Sequence, residues 1–159
     1  MNMQFDKVQP KTKEQLKQLI NYAFKHNIYD LNFIDTSEIT DMSKLFINCK
    51  YNFDISEWDV SNVENTSYMF YYCNNFDCDL SNWDVSNVTD MNSMFGFCNK
   101  FDCDLSNWDV SNVTGMYYMF GHCKQFDCDL SHWNTSKVKD MKNMFTGCNR
   151  LTIPDWYKK

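Results

Sequence analysis

The chain has 159 residues, a formal net charge of −6, 43% hydrophobic and 17% aromatic residues, and only four glycines and two prolines. Too few Gly and Pro and too many aromatics are present for a disordered or low-complexity chain. The acidic balance argues against nucleic acid as partner, because phosphate binding needs clustered Lys and Arg. No run of 18 apolar residues would cross a membrane, and the start MNMQFDKVQPKTKEQ shows no apolar signal segment. By sequence alone the expected location is therefore cytoplasmic.

The first expected element is a helix. Thr12-Lys13-Glu14-Gln15 reads as a capping box with Thr12 as N-cap and Gln15 three residues on. Leu16, Leu19, Ile20, Ala23 and Phe24 follow at amphipathic spacing, and Asn27 is a suitable stop. Residues 1–33 are thus expected to form an N-terminal segment with a capping helix.

From residue 34 the chain repeats. Leu80–Cys103 returns 25 residues later almost unchanged, and Trp58, Trp83, Trp108 and Trp133 mark the period. Ile34–Ile39 stands in the place of Trp58–Val63, so five coils are expected over 34–157, starting at 34, 58, 83, 108 and 133. The last coil decays, with Pro154 unable to donate a strand hydrogen bond, and Asp155–Lys159 is expected to fold over the open end. A fixed period of this length is the signature of a solenoid. Within a coil, Val88, Met91, Met94, Phe95 and Cys98 suggest the inner face of a short helix. Leu80-x-x-Trp83-x-Val85 matches the strand of a leucine-rich repeat. The expected fold is an α/β repeat solenoid: leucine-rich-repeat-like right-handed coils of about 25 residues, each a short β-strand plus a short helix, with strands stacked about 4.8 Å apart.

The pattern D-L-S-N-W-D-V-S-N-V-T-D-M-x-x-M-F-x-x-C-x-x-F, together with the DLNFIDTSEITDMSKLF that opens the array, resembles the BspA-like repeat, also called the DUF285 family. That resemblance implies an unusual bacterial leucine-rich-repeat protein, often placed on cell surfaces and associated with adhesion. It therefore suggests a cell surface where the chain start suggests the cytoplasm.

Candidate sites fall in columns. Cys49, Cys73, Cys98, Cys123 and Cys148 form one column and Cys78, Cys103 and Cys128 a second. They read as buried packing thiols, with disulfides between neighbouring coils the open alternative. His122, Cys123, Cys128 and His132 lack zinc-finger spacing, and no cofactor is implied. Asp77, Asp102 and Asp127 form one acidic column, Asp79, Asp104 and Asp129 another, and Asp59, Asp84 and Asp109 a third. These suit turn N–H groups; calcium held by Asp77, Asp79, Asp102, Asp104, Asp127 and Asp129 is the alternative. Trp58, Trp83, Trp108 and Trp133, with Cys73, Cys98, Cys123 and Cys148, are structural columns.

Positions that vary between coils are free for a partner. Off the expected inner face they leave Tyr68, Tyr71, Tyr72, Phe97, Tyr117, Tyr118 and His122, and aromatics are what interface centres are enriched in. The absence of triad order, phosphate loop and metal motif speaks against an enzyme. The sequence reading is a non-enzymatic protein–protein interaction module with a protein partner and possible self-association, in adhesion or as an intracellular scaffold or effector.

Overall fold

A computed structural model describes residues 7–157. Its regular structure is one helix, α1 (Lys13–Lys25), and a set of isolated parallel bridges. Thr12 caps α1 by accepting from the Gln15 N–H, and Gln15 Oε1 reaches back to the Lys11 N–H, one residue short of the capping-box partner. At the other end Asn27 has φ of 59°. Its N–H donates to the Phe24 carbonyl and the Ile28 N–H to the Ala23 carbonyl, the paired bonds of a left-handed helix stop. Leu16, Ile20 and Ala23 are buried against the repeats. No helix among the described residues is long and apolar enough to cross a membrane.

The expected α/β solenoid of strand-plus-helix coils is not what forms. Neither the short helix at Val88–Cys98 nor the strand at Leu80–Val85 exists; both stretches are chains of tight turns. Trp83 N–H bonds to the Leu80 carbonyl, Val88 to Val85, Met94 to Met91, Gly96 to Ser93 and Cys98 to Phe95, at 2.9–3.2 Å. Each closes three residues back, as a turn does, and none closes four back, as a helix needs. The reason is visible in the donors. Met91, Ser93, Phe95 and Phe97 give their N–H groups to the carbonyls of Gly115, Tyr117, Met119 and Gly121 in the next repeat, at 2.7–2.9 Å. Alternate residues thus bond within the turn ribbon and across to the neighbour, so no continuous i→i−4 ladder can run. Asn, Ser, Asp, Thr and Gly, which fill this segment, favour turns over helix interiors.

The same bonds recur at every step of the stack. Asp41, Asn65, Asp90, Gly115 and Asp140 form a row of parallel bridges, each to the next. Asp30, Asp54, Asp79, Asp104 and Asp129 recur in the same way, each accepting from the N–H two residues on. Most of these turns are set by an aspartate, with Asn65 and Asn134 in its place in two of them. Asp79 Oδ1 accepts from the Ser81 N–H, Asp84 from Ser86 and Asp90 from Asn92, at 2.9–3.1 Å. This side-chain mimic of a backbone turn is why Asp precedes these three.

Inside, like side chains stack on like. Phe46, Phe70, Phe95, Phe120 and Phe145 form a ladder with centroids 5.4–5.9 Å apart and planes within 9°. Phe53, Phe76, Phe101 and Phe126 form a second ladder beside it. Indole Nε1 of Trp58, Trp83, Trp108 and Trp133 donates to the carbonyls of Leu31, Ile55, Leu80 and Leu105 one repeat back. Trp156 repeats that bond to Leu130 and stacks on Trp133, closing the C-terminal end of the indole column.

Candidate functional site

The turn ribbon has two sides. Met91, Met94, Phe95 and Cys98 point inward and are fully buried. The intervening residues lie on the outer side, with Ser93, Gly96 and Gly121 buried beneath the rings there, and two of them per repeat sit at positive φ. One column is Lys44, Tyr68, Ser93, Tyr118 and Asn143, with φ of 54–58°. The other is Asn48, Tyr72, Phe97, His122 and Gly147, with φ of 59–75°. Bulky residues are rare in this conformation, which is disfavoured by about 1–2 kcal/mol for a residue with a Cβ. Asn and Gly occupy it readily. The end repeats use Asn48, Asn143 and Gly147, while the middle three carry aromatic rings.

These rings form one connected surface. Tyr72 stacks on Phe97 at 4.3 Å and 3°, and Phe97 stacks on His122 at 4.8 Å and 5°. Tyr71 packs edge-on against both Tyr72 and Phe97, and Tyr68 against Tyr71. Tyr118 lies 5.7 Å from Phe97 and 6.0 Å from Tyr117. All seven aromatic candidates from the sequence therefore join a single cluster spanning three repeats. Tyr72 and Tyr117 are its most exposed members, and the other five are half-buried. Burial, then neighbouring tyrosines, raises the phenol pKa of Tyr71 and Tyr118.

Glycines make this packing possible. A Cβ on Gly96 would lie 2.7 Å from the Tyr71 ring, and one on Gly121 would lie 2.3 Å from the Tyr118 ring. Sequence reasoning passed over both glycines. It also passed over Lys44, whose ammonium sits 5.8 Å from the Tyr68 ring centroid and extends the surface toward α1. The available signal was that Gly96, Gly121 and Gly147 all fall in the outward columns of the ribbon.

The other columns resolve into structural roles. All eight cysteines are free thiols. Cys73, Cys98, Cys123 and Cys148 donate to the carbonyls of Phe46, Phe70, Phe95 and Phe120 in the preceding repeat, at 2.9–3.0 Å. Cys103 and Cys128 accept from the N–H groups of Leu80 and Leu105 and donate toward Asp79 and Asp104. Burial pushes the thiols of Cys73, Cys78 and Cys103 up to about 12 and those of Cys128 and Cys148 to about 11. It carries Cys98 and Cys123 well above the ordinary range. Such thiols are poor nucleophiles and poor metal ligands.

Asp79, Asp104 and Asp129 are held below the ordinary carboxylate range by hydrogen bonds from Ser81, Ser106 and Ser131. Asp102 and Asp127 are exposed, and Asp102 Oδ1 accepts from the Asp127 N–H. Asp77 takes the Asn52 side-chain oxygen at its own N–H. Open grooves of about 450–530 Å³ run along this acidic edge, lined by Asp77, Cys78, Asp79, Asp102 and Asp104 among others. Among the described residues no group of three or more His, Cys, Asp or Glu side chains converges where a metal ion could sit. The calcium alternative gains no support from this geometry.

A stack of near-identical turn repeats with an aromatic outer surface defines a repeat protein whose scaffold and variable face are separate. The family described as "Mycoplasma protein of unknown function, DUF285" matches residues 14–102 and again residues 79–157. The chain belongs to the DUF285 family. No curated protein and no solved structure matches it.

Proposed function

We propose that the chain is a non-enzymatic interaction module of the BspA-like branch of this family, binding a protein partner through its aromatic surface. One observation carries the reading. Five aromatic or imidazole rings (Tyr68, Tyr72, Phe97, Tyr118 and His122) occupy left-handed backbone positions that the end repeats fill with Lys, Asn and Gly. Stacking offsets part of that strain, at about 0.5–1.5 kcal/mol per pair, yet Asn would fit the backbone without it. Rings kept there serve a surface rather than the core. The thiols and turn carboxylates, each engaged in holding the backbone, favour a binding role over catalysis.

The test uses the residue that the fold already accepts. The double variant Tyr72→Asn/Phe97→Asn should melt within about 2 °C of the wild type, because strain relief and lost stacking nearly cancel. Immobilised wild type and variant are compared against a panel of extracellular proteins and a bacterial lysate, with Asn82→Ala/Asn107→Ala as a control on another face. The expected result is a protein retained by wild type and control and lost at least about tenfold by the aromatic variant. Equal retention by all three would remove the aromatic surface as the binding site. An extracellular partner would support the adhesive reading, and a cytosolic one the scaffold reading.

A further inference from the structure

The stack has a direction, and its two ends are finished differently. Each of the first four ribbons gives four N–H groups to the repeat after it; in the fourth repeat Met116, Tyr118, Phe120 and His122 donate to Asp140, Lys142, Met144 and Thr146. In the last repeat the equivalent donors are Met141, Asn143, Phe145 and Gly147. Among the described residues nothing accepts from them. From Met141 to Gly147 this edge offers N–H groups only; the carbonyl facing the same way is that of Lys139, at its start. The first repeat is the complement. Its outward carbonyls, Asp41, Ser43, Leu45 and Ile47, accept no backbone N–H among the described residues. There α1 lies alongside, with Ile20 and Phe24 facing Leu45 and Phe46 across a groove. Lys13 Nζ donates to Asp41 Oδ2 and Ser43 Oγ. The acceptor edge is thus covered by an amphipathic helix that brings a cation to it.

At the donor edge Trp156 and Tyr157 pack on the Phe145 ring, but among the described residues no helix and no hydrogen-bond acceptor covers the row of N–H groups. Val138, Met141 and Cys148 are half-exposed, while their interior equivalents Val88, Val113, Met91, Met116, Cys98 and Cys123 are fully buried. Lys139 and Lys142 flank it in the sequence, Lys137 and Arg150 donate back to Asn112 and Gln125 of the preceding repeat, and the one carboxylate within 137–150 is Asp140, which already accepts from the Lys142 N–H. In a chain of net charge −6 this end is locally basic.

We propose that the C-terminal edge is a second docking site, and that its occupant is an extended acidic segment of a partner protein. Its carboxylate oxygens would accept from the Met141, Asn143, Phe145 and Gly147 N–H groups and meet the Lys139 and Lys142 ammoniums. A row of backbone donors in turn conformation favours anionic oxygens, and flanking lysines add to that field. An ordinary strand edge, which alternates donors and acceptors, matches the row poorly. Two copies meeting edge to edge by a two-fold would set donors against donors. A copy docking head-to-tail would have to displace α1 with its buried Leu16, Ile20 and Ala23.

The test is amide hydrogen exchange by NMR on the full chain at low salt, since exposed charges are screened at higher ionic strength. End-blocked hexaglutamate is the probe and hexalysine the control. Saturable slowing at Met141, Asn143, Phe145 and Gly147 with hexaglutamate alone is expected. The variant Lys139→Glu/Lys142→Glu should melt like the wild type and bind the probe at least about tenfold more weakly. No slowing at these amides, or equal slowing by hexalysine, overturns the proposal. Slowing that depends on protein concentration without any peptide also overturns it, and makes a second copy the occupant.

Discussion

The inward and outward sides of the turn ribbon share one backbone and obey different rules. Inward, Met91, Phe95 and Cys98 recur as Met116, Phe120 and Cys123, each fully buried and each set on its counterpart in the next repeat. Outward, Asn92, Ser93, Gly96 and Phe97 become Tyr117, Tyr118, Gly121 and His122. The backbone hydrogen bonds to the next repeat are kept throughout. Shape is therefore set by the inner columns and by hydrogen bonds that do not depend on side-chain identity. The outer columns are left to vary, even into conformations that aromatic residues adopt reluctantly.

The strongest way to break this division is Phe95→Ala. The ring is fully buried and stacks on Phe70, Phe101 and Phe120. Its loss should destabilise by about 3–5 kcal/mol in urea unfolding. A loss below about 1 kcal/mol would mean that the ladder is not the source of stability.

The thiol columns sharpen the same contrast through pH. Their folded pKa values lie above the ordinary 9.0, at about 12 for Cys73, Cys78 and Cys103. A group raised on folding contributes stability that is complete below its unfolded pKa and lost as pH rises toward the folded value. The urea midpoint should therefore hold up to about pH 8.5 and fall steadily from there. Native thiols should react with a thiol reagent at least about 100-fold more slowly than the same thiols in urea. A flat midpoint between pH 8.5 and 10 would contradict the burial assigned to them.

The smallest expected effect lies in the turn carboxylates. Asp79→Ala removes the acceptor for the Ser81 N–H and should cost about 0.5–1 kcal/mol. Asp79→Asn should cost less than half of that, because Asn65 and Asn134 hold turns of the same kind in two other columns. The carboxylate's pKa is lowered on folding, so its contribution is present above pH 3.8 and lost as pH falls below it. The Asn variant should lose that part of the acid sensitivity. Equal melting of both variants would show that the turn does not need an acceptor there.

Much of this was legible before the structure. The 25-residue register, the Thr12 cap and the Asn27 stop are all local or strictly periodic signals, and all seven outer aromatics were found by asking which columns change. The secondary structure was misread for a definite reason. Apolar residues three apart, such as Met91 and Met94 or Phe95 and Cys98, fit one face of a helix, but they are also the first and last residues of a tight turn. The sequence carried a discriminating signal. Asp79-Leu80-Ser81-Asn82-Trp83, Asp84-Val85-Ser86-Asn87-Val88 and Asp90-Met91-Asn92-Ser93-Met94 share one grammar: an Asp, then two apolar residues bracketing two short polar ones. In the third repeat these three copies describe three aspartate-set turns. The donor-only edge was beyond reach, because which N–H crosses to the next repeat depends on the whole ribbon rather than on any residue.

The fit of Tyr71 over Gly96 and of Tyr118 over Gly121 bears on how such a surface changes over generations. A ring at one site is compatible only with an empty site next to it: Gly96 lies one repeat beyond Tyr71, and Gly121 lies three residues beyond Tyr118. A mutation that adds a side chain at Gly96 would evict Tyr71 rather than merely crowd it. Substitutions on this face are therefore expected to come as coupled pairs, so that its variants are counted in ring-and-gap units instead of single residues.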